Sequence, residues 1–314
     1  MLLGFDIGGT KCGVVIGSET EIWQAKKIPT DHTIPPREMI LRLCDLAEEL
    51  LAGKKPDAIG ISCGGPLDSK TGVILSPPNL PGWDEVPITD MLEARFGAKA
   101  HLENDANACA LAEWRYGAGK GSRNMAFLTF GTGLGAGLIL DGKLYAGTND
   151  MAGEAGHISL DNFGPAGYGK IGSFEGFCSG GGIAQLGRTY AEEALQNGYR
   201  PAFFPEGAVL TDITAKVIAM AALDGDETAI RVYETCGSYL GKGLAILVDL
   251  LNPEVIVIGS VFARSEALLR PAMERSLKQY ALPRSLAVCS IRPAALGDSI
   301  GDYAALSVAY EMSK

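Results

Sequence analysis

A glycine-rich turn occurs twice in this chain, first as Asp6-Ile7-Gly8-Gly9-Thr10-Lys11 and again as Phe130-Gly131-Thr132-Gly133-Leu134-Gly135. Each copy lies between two apolar runs: Leu3, Phe5 and Ile7 before Val14, Val15 and Ile16, then Phe127, Leu128 and Phe130 before Leu138, Ile139 and Leu140. Short apolar runs on either side of a tight turn predict a β-hairpin in both places. The glycines let the backbone take positive φ or accept a close neighbour, and they leave N–H groups unobstructed for an anion. A hairpin that recurs with such a turn predicts two related lobes holding one nucleotide between them.

At 314 residues the chain exceeds the usual size of one hydrophobic core, which also favours two lobes. Hydrophobic residues at 47% and charged residues at 20% are ordinary for a globular protein, so folding is expected throughout. The net charge of −10 and the lack of a basic cluster disfavour nucleic-acid binding. No secretion signal is read at the start, and the most apolar long stretch, 240–258, is broken by Lys242, Asp249, Asn252, Pro253 and Glu254. A cytoplasmic protein without a membrane span is therefore expected. The seven cysteines are scattered and form no C-x-x-C pair, which argues against disulfides or a cysteine zinc cluster and for buried thiols.

Beyond the hairpins, apolar spacing predicts a helix over 38–51, with Met39, Leu43, Leu46 and Leu50 on one face. Residues 58–63 read as a buried strand entering Gly64-Gly65-Pro66, and the proline-rich 76–83 as an extended segment able to wall a pocket. A strand over 98–102 leads to Glu103-Asn104-Asp105, and a helix over 106–116 stops at Gly117. Residues 147–182 are glycine-rich and weakly periodic. Helices follow over 180–197, 211–223 and 227–251, then a strand over 255–258 and a last helix over 301–312 that is expected to cross back to the N-terminal lobe. The class is α/β, with a boundary near 104–120.

Four groups of residues are candidates for chemistry. In the first turn, Gly8, Gly9 and Thr10 can bring backbone donors to phosphates, Lys11 can add charge, and Asp6 can hold a hydrated magnesium ion; a plain tight hairpin explains the same residues. Neither the Walker spacing nor a glycine fingerprint followed by a helix is present. Asn104 and Asp105 suit a helix cap, but a cap needs only one of them, and a carboxylate at a strand end can accept a hydroxyl proton during phosphoryl transfer. Glu154, His157 and Glu175 fall in the irregular region and can pair with the adjacent hydroxyls of a sugar, or can be solvated loop charges. Gly259, after the 255–258 strand, can admit an adenine or ribose against bare backbone, or can simply end the strand.

Taken in order, these segments, together with Gly64-Gly65-Pro66-Leu67-Asp68, Asn79-Leu80-Pro81-Gly82-Trp83, Glu103-Asn104-Asp105-Ala106-Asn107 and Gly153-Glu154-Ala155-Gly156-His157, resemble the ROK family of sugar kinases and sugar-responsive repressors. That family belongs to the larger group containing hexokinase and actin. The resemblance implies two ribonuclease-H-like, actin-like ATPase lobes with an interlobe cleft: a smaller one over 1–110, joined by the C-terminal helix 300–314, and a larger one over 111–299. It implies ATP- and magnesium-dependent phosphorylation of a hexose 6-hydroxyl, glucokinase-like, with fructose, allose or N-acetylmannosamine as other substrates and a sugar-sensing repressor as the non-catalytic rival. A repressor of this family carries a helix-turn-helix ahead of the kinase-like part, and none is expected ahead of the first hairpin. A homodimer is expected from the family.

Carried over by position, Asp105 is the implied general base. Asn104, Glu154, His157 and Glu175 are implied sugar ligands, with Gly65 and Asn79 lining the pocket. Asp6, Gly8, Gly9, Thr10, Lys11, Thr132 and Gly133 are the implied phosphate and magnesium side, and Gly259 part of the adenosine site. Two departures stand out. Where the family has three zinc-binding cysteines after the histidine, this chain has Ala166, Tyr168 and Ser173, so no structural zinc is expected and Tyr168, Phe174 and Phe177 are expected to pack the loop. Ser260 stands where a further glycine is usual.

Overall fold

In the computed structural model, which describes residues 1–312, the first turn joins strands β1 (Leu2–Ile7) and β2 (Lys11–Gly17), antiparallel with Ile7 opposite Cys12. Strand β3 (Ile22–Pro29) follows on the outer edge, then helix α1 (Pro36–Leu51), β4 (Ala58–Cys63), α2 (Ile88–Phe96), β5 (Lys99–Asn104) and α3 (Asp105–Tyr116). The sheet order is β3-β2-β1-β4-β5, with β1, β4 and β5 mutually parallel. Leu3, Phe5 and Ile7 turn to one face, where Met39, Ile40, Leu43 and Ala47 of α1 complete a core. That alternation is the period-two pattern of a strand meeting the helical stripe of α1.

The other face receives the C-terminal helix (Ile300–Met312), which packs on β1 and β4. Gly4 and Gly60 are register partners on adjacent strands, and a Cβ on either would strike the helix: at Gly4 it would lie 2.7 Å from Ala305 Cβ, and at Gly60 it would meet the backbone of Ala305 and Ala309. Gly301, Ala305 and Ala309 recur every four residues, so the helix lays a stripe of small residues into this glycine groove. Its first turn ends against Asp6, whose carboxylate a Cβ on Gly301 would strike.

A second five-stranded sheet contains β6 (Met125–Leu128), β7 (Ala136–Leu140), β8 (Lys143–Leu144), β9 (Val255–Ile258) and β10 (Ser290–Pro293), in the order β8-β7-β6-β9-β10. Helices α4 (Gly180–Gln196), α5 (Ala215–Leu223), α6 (Glu227–Leu251) and α7 (Val261–Tyr280) belong with it. Helix α6 is capped by Asp226, which accepts the Ala229 N–H, and closes on Asn252 in a left-handed conformation. By contacts the chain forms two compact units: Met1–Arg123, Gly137–Ala152 and Ala295 onward make the first, and Asn124–Ala136 with Gly153–Ala294 the second. Among the described residues no helix is long and apolar enough to cross a membrane.

Candidate active site

In the first unit, the turn between β1 and β2 is fixed by its carbonyls. Thr30 Oγ1 donates to Gly8 O at 2.6 Å and His32 Nε2 to Gly9 O at 2.7 Å. The N–H groups of Gly8, Gly9 and Thr10 have no hydrogen-bond partner among the described residues, and Thr10 and Lys11 are exposed. A turn whose acceptors are occupied and whose donors are free is suited to an anion. Gly9 is tight against Asn79, whose Cβ would lie 2.9 Å from a Cβ added there. The Asn79 amide faces Gly64 and the Asn104 amide faces Gly65, at 3.4 and 3.1 Å from would-be Cβ atoms. The approach of Asn79 to Gly9 is one that only glycine permits, and the Asn79 and Asn104 amides in turn lie beside Gly64 and Gly65.

Asn104 caps α3: its Oδ1 accepts the Ala106 N–H at 2.9 Å, so only its NH₂ is left to donate elsewhere. Asp105 Oδ1 accepts the same N–H at 2.8 Å, while the residue keeps an exposed surface. Its carboxyl is nonetheless held above the ordinary value by desolvation, because protein atoms crowd it on the sides away from solvent. A more basic carboxylate with exposed surface is what proton abstraction from an alcohol needs. Glu103, one residue earlier and buried, accepts from Asn104 N and Asn107 Nδ2, both at 2.9 Å, and so braces the strand end that delivers Asp105.

Asp6 ends up among other charges. Burial pushes its carboxyl to about 6, helped by the negative charges of Asp302 and Asp105 and opposed by Lys27 and Lys11. Asp302, in the first turn of the C-terminal helix, gives one oxygen to Lys27 Nζ at 2.9 Å; its other oxygen is buried without a hydrogen-bond partner. Neither Lys27 nor Asp302 is legible as a site residue in the sequence. A lone acid at a helix start reads as a dipole effect, and Lys27 lies on a strand with no apolar pattern.

In the second unit, Thr132 is exposed and the N–H groups of Thr132 and Gly133 are free of partners among the described residues, whereas Leu134 N donates to Glu175 Oε2 at 2.9 Å. A Cβ on Gly133 would lie 2.6 Å from that same oxygen. Glu175 therefore braces the second glycine turn with one oxygen and keeps Oε1 for other partners. Glu154 and His157 are exposed, with Gly153 O accepting from Ala136 N at 2.7 Å to hold their segment against β7. The His157 ring stands 6.5 Å from Tyr168, edge-on, and its carbonyl accepts from Lys170 Nζ. Gly259 N donates to Leu128 O at 2.9 Å, and Ser260 takes φ 51°, ψ −109°.

The loop after His157 is packed in a way the sequence predicts only in part. Phe174 and Phe177 are buried, with Phe177 stacked on Tyr239 at 3.4 Å and 4°. Tyr168 is instead 78% exposed, correcting the expectation that it packs the loop. Gly167 pairs with Lys170, so Tyr168 and Gly169 are the two turn residues, both at positive φ, and a side chain at such a turn points away from its hairpin. At the other positions of the family's zinc cysteines, Ala166 N donates to Gln185 and Ser173 Oγ caps the helix Phe174–Phe177 by accepting from Gly176 N. The buried Cys178 thiol turns to Cys236 O. These donors do not fit a structural zinc, and among the described residues no group of three or more His, Cys, Asp or Glu side chains is placed to hold a metal ion.

The ROK family model matches residues 2–311. The chain belongs to the ROK family. A glucokinase of Halalkalibacterium halodurans is 34% identical over 308 residues, covering 95% of this chain and 92% of the relative. Among solved structures, a ROK family glucokinase from Streptomyces griseus, in complex with glucose and AMPPNP, superimposes with a TM-score of 0.79 at 29% identity, covering 99% of both chains. A ROK family transcriptional regulator, homologous to the E. coli MLC protein, superimposes with a TM-score of 0.83 at 25% identity, covering 99% of this chain and 78% of the regulator. The two-unit α/β architecture is thus shared by the family's enzymes and its regulators.

Proposed function

We propose that this ROK protein is an ATP- and magnesium-dependent hexose kinase, acting first on glucose at the 6-hydroxyl. The observation that carries the reading is Asp105: an accessible carboxylate of raised basicity, at the head of α3, in the same unit as a glycine turn with free N–H donors and beside the Asn104 amide. The similarity to glucokinases supports the substrate class.

In this reading Asp105 accepts the hydroxyl proton as the sugar oxygen attacks the γ-phosphorus, the bond from that phosphorus to the bridging oxygen breaks and ADP leaves, and Asp105 then gives its proton to solvent. Asn104 donates its NH₂ to a sugar hydroxyl, Asn79 and Gly65 line the sugar, and Glu154, His157 and the free oxygen of Glu175 offer partners to the remaining hydroxyls. Gly8, Gly9, Thr10, Lys11, Thr132 and Gly133 offer donors to phosphate oxygens, and Gly259 offers bare backbone to the adenosine. Two crowded carboxylates, one with an unpartnered buried oxygen, fit a nearby dication, and Asp6 would hold its hydration shell. A bound magnesium ion supplies charge neutralisation on the phosphates.

The likeness to the MLC-type regulator supports a second reading, a sugar-responsive regulator without catalysis. Against it, a net charge of −10 without a basic cluster gives these residues no electrostatic footprint for DNA. A panel of hexoses and N-acetylhexosamines with ATP and magnesium, followed by ADP release, separates the two. Sugar-dependent ADP release is the expected outcome, with fructose, allose and N-acetylmannosamine as competing substrates. Sugar binding without turnover by any of them would favour the regulator.

A further inference from the structure

We propose that the first unit carries a second small-molecule site, in a cavity of about 490 Å³ behind the Asp105 helix, that takes an uncharged polyhydroxylated molecule of mono- or disaccharide size. The cavity is lined by His101 and Glu103 of β5, Trp114 of α3, Lys143 and Leu144 of β8, and Glu311 of the C-terminal helix. Its volume lies in the range of ligand pockets.

The chemistry of the walls selects the ligand. Glu103 has a side chain only 5% exposed; one oxygen is locked by two N–H donors, and the other has only His101 Nε2, at 3.9 Å. That separation is too long for a hydrogen bond, so an acceptor and an imidazole stand one bridging hydroxyl apart. Trp114 spends its N–H on Ser122 O at 2.7 Å, leaving its ring as the surface it can offer. The charges balance: Glu311 is ion-paired with Arg115, and Lys143, which has no ion pair among the described residues, offsets Glu103. A multivalent anion would meet buried Glu103, and a cation would meet Lys143. A neutral molecule with adjacent hydroxyls and an apolar face satisfies all of these groups.

Occupancy would be felt at Asp105. Glu103 Oε1 accepts from Asn104 N and Asn107 Nδ2, on either side of Asp105, so a ligand drawing on the other Glu103 oxygen pulls on the brace of that strand end. Binding is independent of the kinase reading, whereas this effect on turnover rests on it.

The chain has three tryptophans, Trp23, Trp83 and Trp114, and the test reads them separately by fluorine NMR of protein labelled with 5-fluorotryptophan. Trp83 lies in the proposed substrate segment, Trp114 in the cavity, and Trp23 on an outer strand. Glucose, mannose, sucrose and sorbitol are titrated to well above about millimolar concentration. The Trp114 resonance is expected to move saturably with at least one of them, and His101→Ala or the cavity-filling Leu144→Phe to weaken that response roughly tenfold, about one lost hydrogen bond or more. A Trp114 resonance unmoved by every compound, or moved equally in both variants, overturns the site. Movement of Trp83 alone would leave the kinase reading standing and this one refuted. Movement of Trp114 alone would do the reverse for sugar at the proposed reaction site.

Discussion

Gly301 and Asp6 are packed so closely that a Cβ on the glycine would fall on the Asp6 carboxylate. The contact joins the start of the C-terminal helix to the end of β1, and so ties the position of the proposed magnesium-side carboxylate to the seating of a helix more than 290 residues away in sequence.

Gly301→Ala sets two effects against each other. Alanine in a helix gains about 0.5–1 kcal/mol over glycine, while overpacking a filled site costs about 1–3 kcal/mol. The collision is with a side-chain carboxylate, so Asp6 is expected to swing aside rather than the helix to leave. The expected outcome is a small change in thermal midpoint with a rise in the magnesium concentration needed for half-maximal turnover. Displacement of a positioned group by about 1 Å can cost roughly 100-fold in rate. Unchanged magnesium dependence would remove Asp6 from the metal side.

Asp6 also sets a pH dependence. Its carboxyl is pushed up to about 6 in the folded chain against 3.8 in the unfolded one, by burial first and then by Asp302 and Asp105. Below the unfolded value both states are protonated and the residue costs nothing. Between 3.8 and about 6 the unfolded chain ionises first, so stability falls as pH rises, and the cost is complete above about 6. Asp6→Asn should therefore stabilise the protein at pH 8, by no more than about 3 kcal/mol, and by less than about 1 kcal/mol at pH 4. Denaturant titrations at the two pH values check this. Activity, measured with magnesium present, should run the other way and fall only at a more acid pH, because a dication beside Asp6 favours its ionised form.

The parts of this fold legible in the sequence are those where local signals agree. The β1–β2 turn, α6 and β9 combine periodicity with caps or glycines, and the structure gives α6 as Glu227–Leu251 and β9 as Val255–Ile258. Strand β3 gives no apolar signal because Ile22–Pro29 is an edge strand largely exposed, and α7 hides behind Pro271 and the non-helical Ser265. Asp105 is legible because one motif delivers it. Asp302 and Lys27 meet only through the tertiary packing of the last helix, and Lys143, Leu144 and Glu311, which line one cavity with Glu103, likewise come from elements far apart in the chain.

Asp105→Ala should lower turnover by roughly 10²- to 10⁴-fold, the range for loss of a general base. Folding should survive, because Asn104 Oδ1 still caps the Ala106 N–H that Asp105 shares. Steady-state kinetics with a thermal melt on the same sample check both halves. A variant with near-normal turnover would exclude Asp105 as the base.

A chelator separates this loop from its zinc-bearing counterparts. With Ala166, Tyr168 and Ser173 at the cysteine positions and Phe177 stacked on Tyr239, the loop is held by ring packing and by the Ser173 cap. Incubation with EDTA should leave the thermal midpoint unchanged, and elemental analysis should find no stoichiometric zinc. Phe177→Ala, by contrast, should cost about 3–5 kcal/mol.

Ser260 carries the other departure from the family pattern, and its backbone explains why glycine is usual there. At φ 51°, ψ −109° it occupies a region that side chains avoid, while its neighbours are held by Gly259 N to Leu128 O and Val261 N to Phe130 O, at 2.9 and 2.8 Å. The two bonds fix the chain on both sides, so the strain cannot relax without breaking one of them. Strain of this kind costs about 1–3 kcal/mol, and glycine gives back about 0.5–1 kcal/mol through the entropy it loses on folding. Ser260→Gly should therefore be more stable by about 1 kcal/mol, a rise of about 2 °C in a chain this long. Calorimetry measures the shift directly. A lower midpoint in Ser260→Gly would mean that the hydroxyl contributes more than the backbone strain costs, and that the serine is held for its own contacts.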